Sequence, residues 1–156
     1  PERIGQIFAN SDANNLLIFQ AHNFEEQNNC IQRVCKLLEA SGKVGLVVVD
    51  SISIFYRFHS DDMSTRNMLT KQTEALLNIA RRNDITVLIT SQVYTNIGSG
   101  SIEFLGGHAL QHNAKTIIRL DKKGSSKRAA VIIKHRSLPE GKFANYRIVS
   151  AGIESY

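Results

Sequence analysis

Residues that could do chemistry first occur where a long apolar stretch ends in an acid. The run Val44–Val49 is mostly β-branched and is followed at once by Asp50 and Ser51. Such a run is typical of a parallel strand buried on both faces, and because a carboxylate is costly inside a core, Asp50 is expected at the strand's carboxyl end, facing a crevice. In nucleotide-hydrolysing α/β proteins, an aspartate there holds the Mg²⁺ shell of the bound phosphates. The alternative is that Asp50 or Ser51 only caps the next turn.

Two further groups of residues follow along the chain. Gln92 ends the next apolar run, and in a parallel sheet it would lie at the same edge as Asp50. Gly106, Gly107 and His108 close a polar stretch, where the glycines permit positive φ angles and a histidine at a helix start can donate to an anion. The alternatives for this last group are a flexible turn ahead of a capped helix, or a general base, His108, in some other α/β enzyme.

Several classes of site are excluded by what the sequence lacks. There is no phosphate loop of the form GxxxxGKS or GxxxxGKT, and no GxSxG nucleophile motif. Cys30 and Cys35 suit neither a disulfide framework nor a zinc site and are expected to be reduced core residues. Metal-ligand spacing with cysteines or acids is also absent around His22, His59, His112 and His135.

Hydrophobic periodicity predicts alternating strands and helices in the first part of the chain. These elements are a strand at Asn15–Phe19, a helix at Asn23–Ala40, the strand ending at Asp50, a helix at Ser64–Asn83 and a strand at Ile85–Thr90. The alternation implies a parallel sheet with right-handed crossovers.

The pattern changes in the second part of the chain. Thr95–Gly107 is rich in glycine, serine and asparagine and is predicted to be a long loop. Tyr94 directly precedes this loop and Phe104 lies near its end, where they either stack on bases or anchor the loop to the core. The later predicted strands, of which the first two form a β-hairpin, are Thr116–Leu120, Ala129–Ile133 and Tyr146–Val149.

Size indicates one domain, and the positive net charge is compatible with an anionic partner. The chain has 156 residues and a formal net charge of +5. Between Lys115 and Arg136 there are eight lysines and arginines against one acid, Asp121. The charge belongs either to a solvated hairpin, whose lysines discourage edge pairing, or to a phosphate-contacting surface. No apolar run approaches the ~20 residues of a membrane span, and the start has no signal-peptide pattern, so no membrane partner is expected.

Five segments, taken in order, resemble those of the RecA/RadA recombinase family, most closely its archaeal RadB branch. They are PERI, LVVVDS, ITSQV, LGGHAL and KHRSLPEG. PERI resembles the segment just after the family's catalytic glutamate, and LVVVDS resembles the Walker B strand. ITSQV and LGGHAL resemble the start and the close of the second DNA-binding loop, and KHRSLPEG resembles the segment that caps a neighbouring protomer's ATP. The resemblance covers nearly the whole chain.

The resemblance implies a RecA-like P-loop NTPase core of the α/β class. Its mostly parallel, twisted sheet would be flanked by helices and followed by a C-terminal antiparallel β-hairpin. In the family the phosphate loop lies upstream of PERI, so residues 1–156 are expected to be the C-terminal two-thirds of a single ATPase core domain, without that loop. The implied function is ATP-dependent DNA repair and homologous recombination, with no hydrolysis expected from this chain alone. The alternative is a DNA- or partner-binding module with little or no hydrolysis.

The resemblance also assigns roles to residues. Asp50 would hold Mg²⁺ through water, Gln92 would sense the γ-phosphate of ATP, and His108 would act similarly from the far end of the loop. Cofactor contacts are implied for Arg3, which would stack on the adenine, and for Ser51, Lys134, His135 and Pro139, of which the last three would cover the ATP of an adjacent subunit. DNA contacts are expected for Arg57, Tyr94, Asn96, Gly106 and Gly107 and, from the charge of the basic hairpin, for Lys122, Lys123, Lys127 and Arg128.

The sequence departs from the full recombinases in two places. Lys134, His135 and Arg136 stand where archaeal-type recombinases carry acids, and Phe55–Thr65, at the position of the first DNA loop, is short. Both departures favour a RadB-like protein or paralogue over a strand-exchange enzyme. The expected partners are DNA, preferentially single-stranded, and either a second copy or the main recombinase. The expected location is the cytoplasm, with the nucleoid.

Overall fold

This computed structural model describes residues 15–41, 43–58, 62–96, 98, 100 and 102–156, without the side chains of residues 41, 58 and 108. The chain forms two compact units. The first unit, Phe19–Ala114, combines helices with short strands. The second unit contains Lys115–Tyr156 together with residues 15–18. A single domain over residues 1–156 stays a prediction.

Two long helices carry the core of the first unit. They are α1 (Phe24–Ser41) and α2 (Met63–Arg82), and α2 begins where the Asp62 carboxylate accepts the Ser64 N–H, one of the N–H groups that lack a partner within the helix. Each helix buries apolar residues at helical spacing, namely Ile31 and Leu38 on α1 and Leu69, Leu76 and Ile79 on α2. Both predicted helices are confirmed. No helix among the described residues has the length and apolar character that a membrane span needs.

The core also contains a pair of parallel strands, β1 (Leu46–Val49) and β2 (Thr86–Ile89). Val47 is buried and belongs to the same apolar cluster as the helices. The opposite face of the pair is about half exposed at Leu46, Val48 and Leu88. The prediction of a strand buried on both faces is therefore wrong, because in the described part of the chain α1 and α2 cover only one face.

Two predictions about the segments outside these elements are wrong. The predicted strand Asn15–Phe19 is not a strand, and its Ile18 side chain is 70% exposed, since no strand of the described chain pairs with it. The predicted loop Thr95–Gly107 instead contains half of an antiparallel hairpin, in which β3 (Val93–Thr95) pairs with β4 (Ile102–Phe104). The glycine- and serine-rich composition concealed this pairing.

A buried polar cluster joins both helices to the segment that follows β1. Gln27 Nε2 on α1 donates to the Ile52 carbonyl at 3.1 Å and to Gln72 Oε1 on α2 at 2.8 Å. All three residues are buried, and a buried oxygen without a donor is costly. The cluster therefore fixes the first residues beyond β1 relative to the two helices.

The second unit is a four-stranded antiparallel sheet. Its strands, paired in chain order, are β5 (Ile117–Lys122), β6 (Lys127–Lys134), β7 (Phe143–Val149) and β8 (Gly152–Ser155). The predicted hairpin is confirmed by β5 and β6, and the predicted final strand lies within β7. No sequence pattern indicated β8, because Gly-Ile-Glu-Ser offers a single large apolar residue.

Candidate functional site

The carboxyl ends of β1 and β2 lie side by side. Asp50 follows β1 directly, and the hydroxyl of Thr90, which follows β2, donates a short hydrogen bond to Asp50 Oδ1. The Thr90 N–H donates to the Val49 carbonyl at 3.1 Å, and the Ile52 N–H donates to the Thr90 carbonyl at 3.0 Å. The peptide bond between Asp50 and Ser51 is cis. The parallel pairing thus brings the polar ends of both strands to one edge.

The Asp50 carboxylate suits a hydrated cation. The side chain is exposed, and its second oxygen accepts no hydrogen bond from the described residues. Carboxylate oxygens are the ligands that Mg²⁺ prefers, directly or through water. The described residues include no cluster of three or more histidines, cysteines or acids that could hold a metal. Arg3, expected on the adenine, lies outside the described residues.

Two serines beside this edge have different surroundings. The Ser51 hydroxyl, expected to contact a cofactor, is shielded from solvent and has no hydrogen-bond partner among the described residues. Ser53 is fully buried, and its hydroxyl accepts the Gln92 N–H at 3.1 Å. The Gln92 carbonyl in turn accepts the Leu105 N–H at 3.0 Å. The Gln92 backbone is therefore anchored on both sides, and no sequence pattern singled out Ser53 for this.

An open groove of about 710 Å³ lies beside Gln92. Its walls come from the short 3₁₀ helix Tyr56–Phe58, from α2, and from the β3–β4 hairpin with the turn that follows it. The groove brings together five predicted site residues, namely Arg57, Gln92, Tyr94, Gly106 and Gly107. It also includes Tyr56, Arg66, Thr70 and Phe104, of which the sequence pattern indicated only Phe104. Guanidinium, aromatic and backbone surfaces together suit a strand that carries phosphates and unstacked bases.

The glycine pair shapes the end of this groove. Gly106 caps the short helix α3 (Gly107–Asn113) with a φ of 100°, and Gly107 has a φ of 43°. A Cβ at residue 106 would lie 2.8 Å from Leu69 Cδ2, so only glycine fits there without a shift. The two positive φ angles and the helix that begins at Gly107 confirm the prediction that the glycine pair adopts positive φ at a helix start. The side chain of His108 lies outside the described part of the chain, and its role stays a prediction.

One carboxylate holds the β3–β4 hairpin. Glu103 on β4 lies opposite Tyr94 on β3. Glu103 Oε2 accepts the Tyr94 hydroxyl at 2.9 Å, and Glu103 Oε1 accepts the Asn96 amide at 2.7 Å. The bond to Glu103 is the largest cause that raises the pKa of the Tyr94 phenol, because it stabilises the neutral donor. Two residues predicted to contact DNA are therefore engaged by Glu103, which no sequence pattern indicated.

Basic side chains gather at the turn between β5 and β6. Lys122, Lys123 and Lys127 are exposed. Lys127 Nζ lies 5.4 Å from the centroid of the Tyr156 ring, a cation–π distance. The Arg128 guanidinium instead donates to two backbone carbonyls of the turn. This arrangement suits a phosphate-contacting surface and equally suits a solvated hairpin.

The segment after β6, expected to cover an ATP, begins with a tight turn. His135 Nδ1 accepts the N–H groups of Ser137 at 3.1 Å and Leu138 at 3.0 Å. Because Nδ1 acts as the acceptor, the neutral ring carries its proton on Nε2, which can donate to a ligand. Lys134 is half-buried at the end of β6, and Pro139 is exposed. The three predicted cofactor residues of this segment thus lie at the end of β6 and in the turn just after it.

Comparison with known proteins gives matches along the chain. A family profile with the description Rad51 matches residues 2–156. The DNA repair and recombination protein RadB of Methanococcoides burtonii is 41% identical over 145 residues, which cover 90% of this chain and 64% of that protein. The protein of the same name from Archaeoglobus fulgidus is 39% identical over 158 residues, covering 98% of this chain and 71% of that protein.

A solved structure gives a match of similar extent. The crystal structure of the RadB recombinase superposes with a TM-score of 0.84 and 31% sequence identity, covering 100% of this chain and 73% of that chain. The chain therefore spans 64% of the first of these relatives, 71% of the second and 73% of the third.

Proposed function

The chain belongs to the Rad51/RecA family and has its RecA-like α/β fold. We propose that it is part of an ATP-dependent DNA repair and recombination protein of the RadB type. The observation that carries the proposal is the position of Asp50 at the carboxyl edge of β1, beside the strand that leads to Gln92. The role in DNA repair and recombination is inferred from the names of the relatives, and the use of ATP is inferred from the position of Asp50.

In this proposal Asp50 holds the water shell of a cation on bound ATP, and Thr90 keeps the carboxylate in place. Mg²⁺, when bound, offsets the charge that develops on the transferred phosphoryl group. Gln92 responds to the γ-phosphate. Its backbone is tied to Ser53, close to Asp50 in the chain, and to Leu105, next to the glycine pair. These bonds connect the nucleotide edge to the groove.

The remaining cofactor contacts in this proposal come from Arg3 and from the segment that follows β6. Arg3 stacks on the adenine, and Lys134, His135 and Pro139 cover the ATP of an adjacent subunit. There the His135 Nε2–H group can donate a hydrogen bond to a phosphate oxygen. A shared site of this kind requires a second protomer, either another copy or the main recombinase. A protein that works on DNA in this way is expected in the cytoplasm, with the nucleoid.

The groove beside Gln92 is the proposed site for DNA. Arg57 supplies a guanidinium for phosphate, and Tyr94 and Phe104 supply rings on which bases stack. The glycines at 106 and 107 allow the backbone of a strand to approach closely. Because stacking requires unpaired bases, the proposed ligand is single-stranded DNA.

Nucleotide binding by the full-length protein tests the proposal. We expect a fluorescent ATP analogue to bind in the presence of Mg²⁺ and to bind more weakly once a chelator removes the cation, since Asp50 acts through that cation. Residues 1–156 measured alone should bind weakly, because they contain no phosphate loop. If neither protein binds nucleotide while both bind single-stranded DNA, the ATP-dependent function is wrong and a DNA-binding module remains.

The basic turn between β5 and β6 favours that second candidate, a module that binds DNA with little hydrolysis. Replacing Lys122, Lys123 and Lys127 by alanine is expected to weaken single-stranded DNA binding. It should also lower the slope of log K against log salt by about 2, since each phosphate contact to a single strand contributes ~0.7. A matched control replaces three exposed lysines of the first unit, Lys36, Lys43 and Lys71. Equal slopes for both triple variants would show that the turn makes no specific contact.

A further inference from the structure

An acid lies beside a groove that otherwise suits an anionic ligand. Glu103 lines a smaller cavity of about 270 Å³, which shares Phe104 and Gly107 with the groove. Its two carboxylate oxygens accept hydrogen bonds from the Tyr94 hydroxyl and the Asn96 amide. Tyr94 itself lines the groove. Both of these donors are thus engaged within the protein.

A carboxylate and a phosphodiester are acceptors of the same kind. Each presents two anionic oxygens that take charge-assisted hydrogen bonds from neighbouring donors. Glu103 therefore holds Tyr94 and Asn96 much as the phosphate of a nucleic acid would hold them. A strand that enters the groove meets donors already engaged and a charge of its own sign, and both effects weaken its binding.

We infer that Glu103 competes with nucleic-acid phosphate for Tyr94 and Asn96 and so sets the affinity of the groove for single-stranded DNA. The inference rests on the proposed function, because it takes the groove as the DNA site. The hairpin then has two arrangements: Glu103 holds the donors in the free protein, and phosphate holds them in the complex. Arg57 and Arg66 line the groove and favour the second arrangement by attracting phosphate.

The hydrogen bond from Tyr94 to Glu103 is of a kind that a ligand can displace. Tyr94 is 47% exposed, so its bond to Glu103 is made at the surface, where the net gain over water is modest. The ordinary pKa of a phenol already keeps Tyr94 neutral around pH 7, and the bond to Glu103 raises that pKa further, so the hydroxyl is a donor for either acceptor. The Tyr94 hydroxyl can therefore donate its hydrogen bond to a phosphate in place of the carboxylate without a change of protonation.

Three variants of the full-length protein test the competition by fluorescence anisotropy of a labelled single-stranded oligothymidine. Glu103→Gln removes the charge at nearly constant size. Glu103→Asp keeps the charge but is one methylene shorter, so it cannot hold both donors. Glu25→Gln, at an exposed position in the first turn of α1, matches the charge change of the first variant. We expect tighter binding by about three- to tenfold for Glu103→Gln and about twofold for Glu103→Asp, with Glu25→Gln close to wild type.

Each other outcome overturns the inference. If Glu103→Gln binds no more tightly than Glu25→Gln, the carboxylate does not compete with phosphate. If Glu103→Gln binds DNA more tightly while Glu103→Asp binds like the wild type, the effect is one of long-range charge and not of competition for the donors. Equal binding by all proteins overturns this inference alone, whereas no binding by any of them also overturns the DNA part of the proposed function.

A second readout needs no DNA. In an alkaline titration followed by tyrosine absorbance, the Tyr94 phenol of the wild type should ionise at higher pH than in Glu103→Gln, and Tyr94→Phe identifies its transition. The bond to Glu103 is present while the phenol is neutral and is lost as pH rises through its pKa. Identical titrations of the wild type and Glu103→Gln would mean that the bond is absent in solution.

Discussion

Replacing Asp50 by asparagine in the full-length protein is expected to lower ATP turnover about 100-fold, or about 3 kcal/mol of transition-state stabilisation, while the fold is kept. Asparagine has the size of aspartate and an oxygen that accepts from the Thr90 hydroxyl, but it lacks the negative charge that holds a hydrated cation. The rate of phosphate release at saturating ATP and Mg²⁺ measures the effect.

Asp84→Asn is the matched control for this experiment. Asp84 precedes β2, at the opposite end of the strand pair, and asparagine tolerates its φ of 50°. The ATP turnover of this variant should equal that of the wild type. Wild-type turnover in Asp50→Asn would contradict the role given to Asp50, and equal losses in both variants would mean that the carboxyl edge has no special part in turnover.

Gly106→Ala is expected to lower the free energy of unfolding by about 2–4 kcal/mol, combining left-handed backbone strain of about 1 kcal/mol with overpacking of about 1–3 kcal/mol. The new Cβ would lie 2.8 Å from Leu69 Cδ2 and 3.1 Å from Leu110 Cδ1. Both leucines are buried in the core and have little room to move. Urea unfolding followed by circular dichroism measures the change.

Gly107→Ala separates the two causes. Gly107 also has a positive φ, but no atom lies within 4 Å of a Cβ built there. This variant should therefore lose only the strain, about 1 kcal/mol. Equal losses for the two variants would mean that the contact with Leu69 and Leu110 relaxes at no cost, contrary to the tight packing at Gly106.

The elements with a repeating pattern of their own could be predicted from the sequence. Helices α1 and α2 place apolar residues every three or four positions, and β1 and β2 are short apolar runs. A helix between two strands makes parallel pairing the expected arrangement. Parallel pairing alone is enough to bring Asp50 and Thr90 to one edge, so the position of the proposed nucleotide site follows from the order of these elements along the chain.

The remaining features depend on pairing between distant residues. The strand β4 is Ile-Glu-Phe within a polar stretch, and it is a strand because β3 lies beside it. The exposure of Leu46 and Val48 depends on which face the helices cover, and this is set by tertiary packing. Glu103 meets Tyr94 through the register of a hairpin that no local pattern specifies.

The buried glutamine cluster makes opening of the first unit cooperative. If α1 or α2 detached locally, the Ile52 carbonyl or Gln72 Oε1 would lose its donor, and each such hydrogen bond contributes about 0.5–1.5 kcal/mol to stability. Partial opening is thereby disfavoured relative to concerted opening. Amide protons of both helices and of the residues just beyond Asp50 should then exchange with solvent through one common event, so the carboxyl edge keeps its shape until the whole unit unfolds.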